Sequence, residues 1–115
     1  MVKREVVGAH YGLRDWLAQR ITAVIMVVYS VVILSAIAGL PRMDYWHWKA
    51  LWQEPVVRYT TLIFIVSLLF HAWIGVRNIF MDYIKDPALR LTLYVLTIVA
   101  LLWYAAWSIQ ILWSA

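Results

Sequence analysis

The sequence predicts an all-α integral membrane protein with three transmembrane helices. Two observations carry this: three apolar runs are each long enough to cross a bilayer, and the composition is too hydrophobic for a soluble chain of this size. Of the 115 residues, 65% are hydrophobic and 14% are charged, against roughly half and about a quarter in an ordinary soluble domain. A chain this short has too little interior to hide that much apolar surface. Lipid has to solvate it.

A helix needs about 20 apolar residues to cross the hydrocarbon core. The first run extends from about Trp16 to Leu40 and stops at Pro41, the second from about Val56 to Met81, and the third from about Leu89 to Trp113. A polar, Trp-rich connection at 41–55 joins the first two, and a short one, Asp-Tyr-Ile-Lys-Asp-Pro-Ala at 82–88, joins the last two. With no repeat, linker or low-complexity segment, residues 1–115 read as one transmembrane domain. The triplet Ala36-Ile37-Ala38 resembles a signal-peptide cleavage site, but the run before it is too long for a signal h-region. The absence of an Arg- and Ser-rich leader suggests a bacterial protein.

The net charge of +4 is spread over the ends of the apolar runs and forms no basic stripe, which argues against nucleic acid as a partner. There is no cysteine, so disulfides and the usual iron–sulfur and structural zinc ligands are excluded. A redox cofactor held here would rely on histidine or on a non-covalent pocket.

Lys and Arg placement orients the spans. With the N-terminus cytoplasmic, seven basic residues (Lys3, Arg4, Arg14, Arg20, Arg77, Lys85, Arg90) lie on the inner side and three (Arg42, Lys49, Arg58) on the outer. The C-terminus is then periplasmic, and Trp46, Trp48, Trp52 and Trp113 make an outer interfacial belt. His10 and His47 fall outside the spans, facing solvent or headgroups.

Ionisable residues within a span are costly and mark function. His71 lies deep in the second run and Arg20 near the inner end of the first, while Asp82 and Tyr83 stand at the inner end of the second. His71, Gly75, Asn78 and Asp82 follow one another at spacings of 4, 3 and 4 and so share a helical stripe. His71 and Asp82 are about 16 Å apart along it. Two readings of the stripe remain open. The imidazole is a standard axial ligand of haem iron, with Gly75 clearing room for a flat group; equally, His71 can hydrogen-bond another helix and Gly75 can allow close packing. Arg20 fits a snorkelling anchor as well as a binding group, Asp82 a helix end, Tyr83 a belt residue and Arg77 an inner-side anchor. Thr92, Thr97, Ser108 and Gln110 of the third run read as helix-contact residues.

The segment from His71 to Leu91, His-Ala-Trp-Ile-Gly-Val-Arg-Asn-Ile-Phe-Met-Asp-Tyr followed by Ile-Lys-Asp-Pro-Ala-Leu-Arg-Leu, closely resembles the hydrophobic membrane-anchor D subunit of bacterial succinate dehydrogenase (succinate:quinone oxidoreductase, respiratory complex II). Arg14-Asp15-Trp16-Leu17 leading to Arg20-Ile21-Thr22-Ala23 is a second match. The resemblance implies a heterodimeric helix bundle binding haem b, with His71 as one axial ligand to the haem iron and the other supplied by a partner. It implies that Tyr83 hydrogen-bonds ubiquinone, that Asp82 shapes that site or passes protons, and that Arg20 lies near the haem propionates and the quinone. The implied partners are a second, cytochrome b-type C anchor subunit, an iron–sulfur subunit, a flavoprotein subunit and the lipid of the bacterial inner membrane. This chain is then a non-dehydrogenase subunit of the enzyme, and succinate oxidation belongs to its partners. Arg14 stands where some family members have His. A fumarate reductase anchor and a haem-free structural anchor are the alternatives. A proton-relaying transporter subunit is a third, but residues 82–88 match a quinone-site pattern better than a gate.

Overall fold

The computed structural model describes the backbone of residues 2–114 and the side chains of residues 12–114. The side chains of Lys3, Arg4 and His10, named above for charge or exposure, lie outside the described residues. Four helices follow in order: α1 Val2–Ala38, α2 Tyr45–Gln53, α3 Pro55–Tyr83 and α4 Pro87–Ser114. Three stretches, Gly12–Ala38, Pro55–Tyr83 and Pro87–Ser114, are long and apolar enough to cross a membrane, and no strand occurs among the described residues. The 29 residues of α3 reach about 43 Å at helical rise, more than the roughly 30 Å of hydrocarbon, so its ends extend beyond the lipid core.

Helix α1 begins at Val2, well ahead of the apolar run that starts near Trp16, and local chemistry explains where the other long helices start and stop. Pro55 opens α3 in the first turn, where a missing N–H costs nothing and the fixed φ suits a helix. The connection between α3 and α4 is only Ile84, Lys85 and Asp86, shorter than the 82–88 loop that composition suggested. Asp82 and Tyr83 therefore belong to the last turn of α3. Ile84 is extended and its N–H donates to Phe80 O at 2.9 Å, closing that helix. Asp86 Oδ1 accepts from Ala88 N at 3.2 Å, and Pro87 begins α4 behind it.

The Trp-rich connection holds a helix that the apolar pattern did not predict. Asp44 is its N-cap: the extended backbone there turns the carboxylate onto His47 N at 2.9 Å, while His47 Nδ1 lies 2.7 Å from the same oxygen. These hydrogen bonds, the backbone one first, hold the Asp44 carboxyl below the ordinary carboxylate range. The cap side chain satisfies a backbone donor that the first helical turn leaves unpaired.

Helix α3 is the centre of the arrangement, packing against α1, α4 and α2. Among the described residues the buried apolar side chains are only Ile74 and Leu112. Large ones such as Val24, Leu34, Leu102 and Trp103 are each more than 60% exposed. No water-excluding core exists of the kind a soluble domain needs; the apolar surface faces outward, as lipid requires. Contacts between α3 and α4 are aromatic: Trp73 meets Tyr94 edge-on at 5.8 Å, and Tyr59 lies 6.3 Å from Trp113. Thr92 and Thr97, expected to touch another helix, instead return their hydroxyls to Ala88 O and Leu93 O, four residues back in α4. In a medium without water, the backbone one turn earlier is the nearest acceptor.

Replacing Asp44 by Ala should speed amide hydrogen exchange several-fold at residues 46–48 while leaving α3 and α4 unchanged. Because the folded pKa of Asp44 is depressed, the cap is present above the ordinary carboxylate range and lost as pH falls through the folded value. The difference in exchange between wild type and Asp44→Ala should close over that window.

Candidate functional site

Helices α1 and α3 run antiparallel and meet along a series of polar contacts. Nearest the α3–α4 connection, Arg77 Nη2 donates to Asp15 Oδ2 at 2.6 Å, each side chain about a third exposed. One turn further along, Gly75 faces the Gln19 side chain; a Cβ built on that glycine would lie 3.6 Å from Gln19 Nε2. Next, Thr22 Oγ1 and His71 Nδ1 are 2.9 Å apart. Toward the other end, Tyr29 OH and Thr61 Oγ1 hydrogen-bond at 2.5 Å, with Tyr29 stacked on Phe64 at 4.5 Å. Thr22, Thr61 and the neighbouring Ser67 are all buried.

The Thr22 hydroxyl determines the tautomer of His71. Its Oγ1 lies 2.8 Å from Ala18 O and 3.2 Å from Gln19 O, the same return to the preceding turn that Thr60 and Thr97 make. With its single proton given to that carbonyl, Thr22 accepts from His71 Nδ1–H. The arrangement makes two hydrogen bonds. The opposite tautomer would leave only the bond from Thr22 to the ring, and it forgoes about 0.5–1.5 kcal/mol. In this arrangement His71 Nδ1 carries a proton, and Nε2 makes no hydrogen bond among the described residues.

Gly75, read from sequence as clearing room for a flat ligand or as allowing close packing, faces Gln19, and a Cβ there would make only an ordinary van der Waals contact with its Nε2. Arg77, read as an inner-side anchor, is the partner of Asp15. Gln19 Oε1 and Arg77 Nε are buried and have no hydrogen-bond partner among the described residues. Those two atoms are an acceptor and a donor, buried close to the Asp15–Arg77 bridge and the Thr22–His71 contact.

The remaining site residues stand apart from His71. Arg20 is exposed, and its guanidinium lies over the Trp16 ring at 5.5 Å. At about 100° per residue it sits on nearly the opposite face of α1 from Thr22, where it borders a shallow groove of about 290 Å³ with Ala23, Val24 and Val27. Asp82 is exposed and Tyr83 is 78% exposed, the latter extending from the last residue of α3. Neither makes a hydrogen bond or ion pair among the described residues. The other open groove between α1 and α3, about 310 Å³ and including Val28, Val32 and Ile63 in its lining, lies toward the opposite end and excludes His71. At that end Arg58 ties α2 to the bundle, donating from Nε to Trp52 O at 3.1 Å and lying over the Trp113 ring. Thr22, Gln19 and Asp15 were not assigned roles from sequence. The signal available for Asp15 and Arg77 was charge complementarity at one end of two antiparallel spans.

Residues 2–109 match a family model described as succinate dehydrogenase/fumarate reductase transmembrane subunit. A protein of Coxiella burnetii named succinate dehydrogenase hydrophobic membrane anchor subunit is 40% identical over 104 residues, covering 90% of each chain. Proteins of the same name from Rickettsia bellii and Rickettsia conorii are 33% and 32% identical, covering 83% and 77% of this chain and 77% and 71% of their own.

The Asp15–Arg77 bridge should show as coupling in a double-mutant cycle. Asp15→Ala and Arg77→Ala should each lower the stability of the detergent-solubilised protein, and the double variant should cost less than their sum by about 0.5–3 kcal/mol. Additive losses would mean that the pair contributes nothing beyond its separate side chains.

Proposed function

The chain belongs to the succinate dehydrogenase/fumarate reductase transmembrane subunit family, and we propose that it is a membrane anchor of succinate dehydrogenase that shares a haem b with a second anchor subunit. It further helps to bind ubiquinone and holds the flavoprotein and iron–sulfur subunits on the membrane. The observation that carries this is the state of His71: an imidazole within an apolar span, with Nδ1 engaged by Thr22 and Nε2 free to ligate. A ligating histidine characteristically donates its other N–H to an oxygen acceptor, so the residue fits an axial ligand. Among the described residues no three His, Cys, Asp or Glu side chains converge. The chain offers haem iron one ligand, and the second comes from the partner anchor. Haem, when bound, supplies reversible one-electron transfer.

Ubiquinone reduction consumes two electrons and two protons, and the exposed end of α3 suits it. Tyr83 donates its phenolic O–H to a quinone carbonyl oxygen. Asp82, one residue earlier, holds or passes a proton at its carboxylate oxygens. Among the described residues, neither side chain has a polar partner. Arg20 puts a fixed positive charge on the flank of α1 that faces away from α3, where it would help to hold the haem propionates. In this assignment the α3–α4 connection is cytoplasmic, the C-terminus periplasmic, and the membrane is a bacterial inner membrane, in keeping with seven basic residues against three. The dehydrogenase chemistry belongs to the partner subunits.

A haem-free structural anchor is the second reading, favoured by Gly75 facing Gln19 of this chain. A fumarate reductase anchor shares the family, but the relatives above carry the succinate dehydrogenase name.

A reduced-minus-oxidised spectrum of the purified complex should show a b-type α-band that His71→Ala removes. If the wild-type complex has no such band, the haem assignment fails and the structural anchor stands. Tyr83→Phe should lower succinate:ubiquinone reductase activity at least tenfold while leaving succinate oxidation by an artificial acceptor at the flavoprotein unchanged. Equal loss of both would place the defect in assembly rather than at a quinone.

A further inference from the structure

Thr22 touches no group that the proposed chemistry uses except His71, and it is among the most buried polar side chains described. Its hydroxyl proton is directed back to Ala18 O, so the oxygen presents a lone pair to the imidazole at a depth where no water competes for it. We infer that Thr22 is a positioning residue for haem b: by accepting the Nδ1–H of His71, it fixes the ring orientation and raises the basicity of Nε2. The inference rests on the haem reading above and goes beyond it, because it assigns the tuning of the ligand to α1.

The physical consequence is directional. An acceptor on Nδ1–H gives the imidazole partial imidazolate character, making Nε2 a stronger donor. A stronger donor favours ferric over ferrous iron. Removing the acceptor should therefore move the haem midpoint to more positive potential. The relevant helix contact is short and specific, since Thr22 and His71 come from different spans 49 positions apart in sequence and neither can be replaced by its own helix neighbours.

The test uses the whole assembled complex and four versions of this chain: wild type, Thr22→Val, Thr22→Ser and Thr22→Ala. Valine keeps the shape of threonine without a hydroxyl, and serine keeps the hydroxyl. The readouts are haem content from the α-band, the haem midpoint from potentiometric titration and the low-temperature EPR signal of ferric haem. Thr22→Val should retain the α-band yet favour ferrous haem about threefold to tenfold more, tenfold being about 59 mV for one electron, with altered EPR g-values. Thr22→Ser should restore both. If Thr22→Val does not assemble, Thr22→Ala supplies the same comparison with less side-chain bulk. A wild-type α-band with unchanged midpoint and EPR signal in the hydroxyl-free variants would overturn the role of Thr22 while leaving the haem assignment intact. A wild-type complex without the band would overturn both.

Discussion

Within the hydrocarbon of a bilayer no water is present to satisfy a polar group, and the arrangement of this chain follows from that constraint. Backbone groups are satisfied inside three long helices, and most hydroxyls go back to the carbonyl one turn earlier, as Ser30, Thr60 and Thr97 do. Several of the remaining polar side chains meet on one interface, between α1 and α3. There, Asp15, Thr22 and Tyr29 of one helix meet Arg77, His71 and Thr61 of the other. The α3–α4 contact carries aromatic rings instead. α3 thus has a polar side and an aromatic side, and His71 belongs to the polar one.

The same constraint accounts for His71. A histidine in lipid is costly unless its N–H has a partner. Thr22 provides one without using the other ring nitrogen. Asp82 and Tyr83 follow the opposite logic. They stand at the end of α3, exposed, where their polar groups need no partner from the chain.

The three long helices were legible because each needs little more than length and apolarity, and both can be read from composition. His71 was legible for the complementary reason: an ionisable residue in such a run stands out. The short helix α2 was hidden because its apolar pattern is interrupted by polar residues and its start depends on one carboxylate, Asp44, making a local bond. The partners of His71 and Arg77 were hidden for a different reason. Which turn of α1 faces which turn of α3 depends on how the two helices pack, and a hydrophobic run carries almost no phase. Thr22 on its own looks like any of the threonines that bond to their own helix. That Gly75 faces Gln19 was hidden on the same ground.

The contacts between α1 and α3 also restrict how the two helices can slide. From Asp15 to Tyr29 they cover about 21 Å of α1 at helical rise, and their spacings differ on the two helices: 4, 3 and 7 residues on α1 against 2, 4 and 10 on α3. Such unequal intervals coincide in one alignment only, like the notches of a key. A substitution removes one notch and leaves the others to hold the alignment. Inserting or deleting a single residue between Asp15 and Tyr29 turns everything beyond it by about 100° and misaligns several at once. This pair of spans should therefore accept changes of side chain far more readily than changes of length.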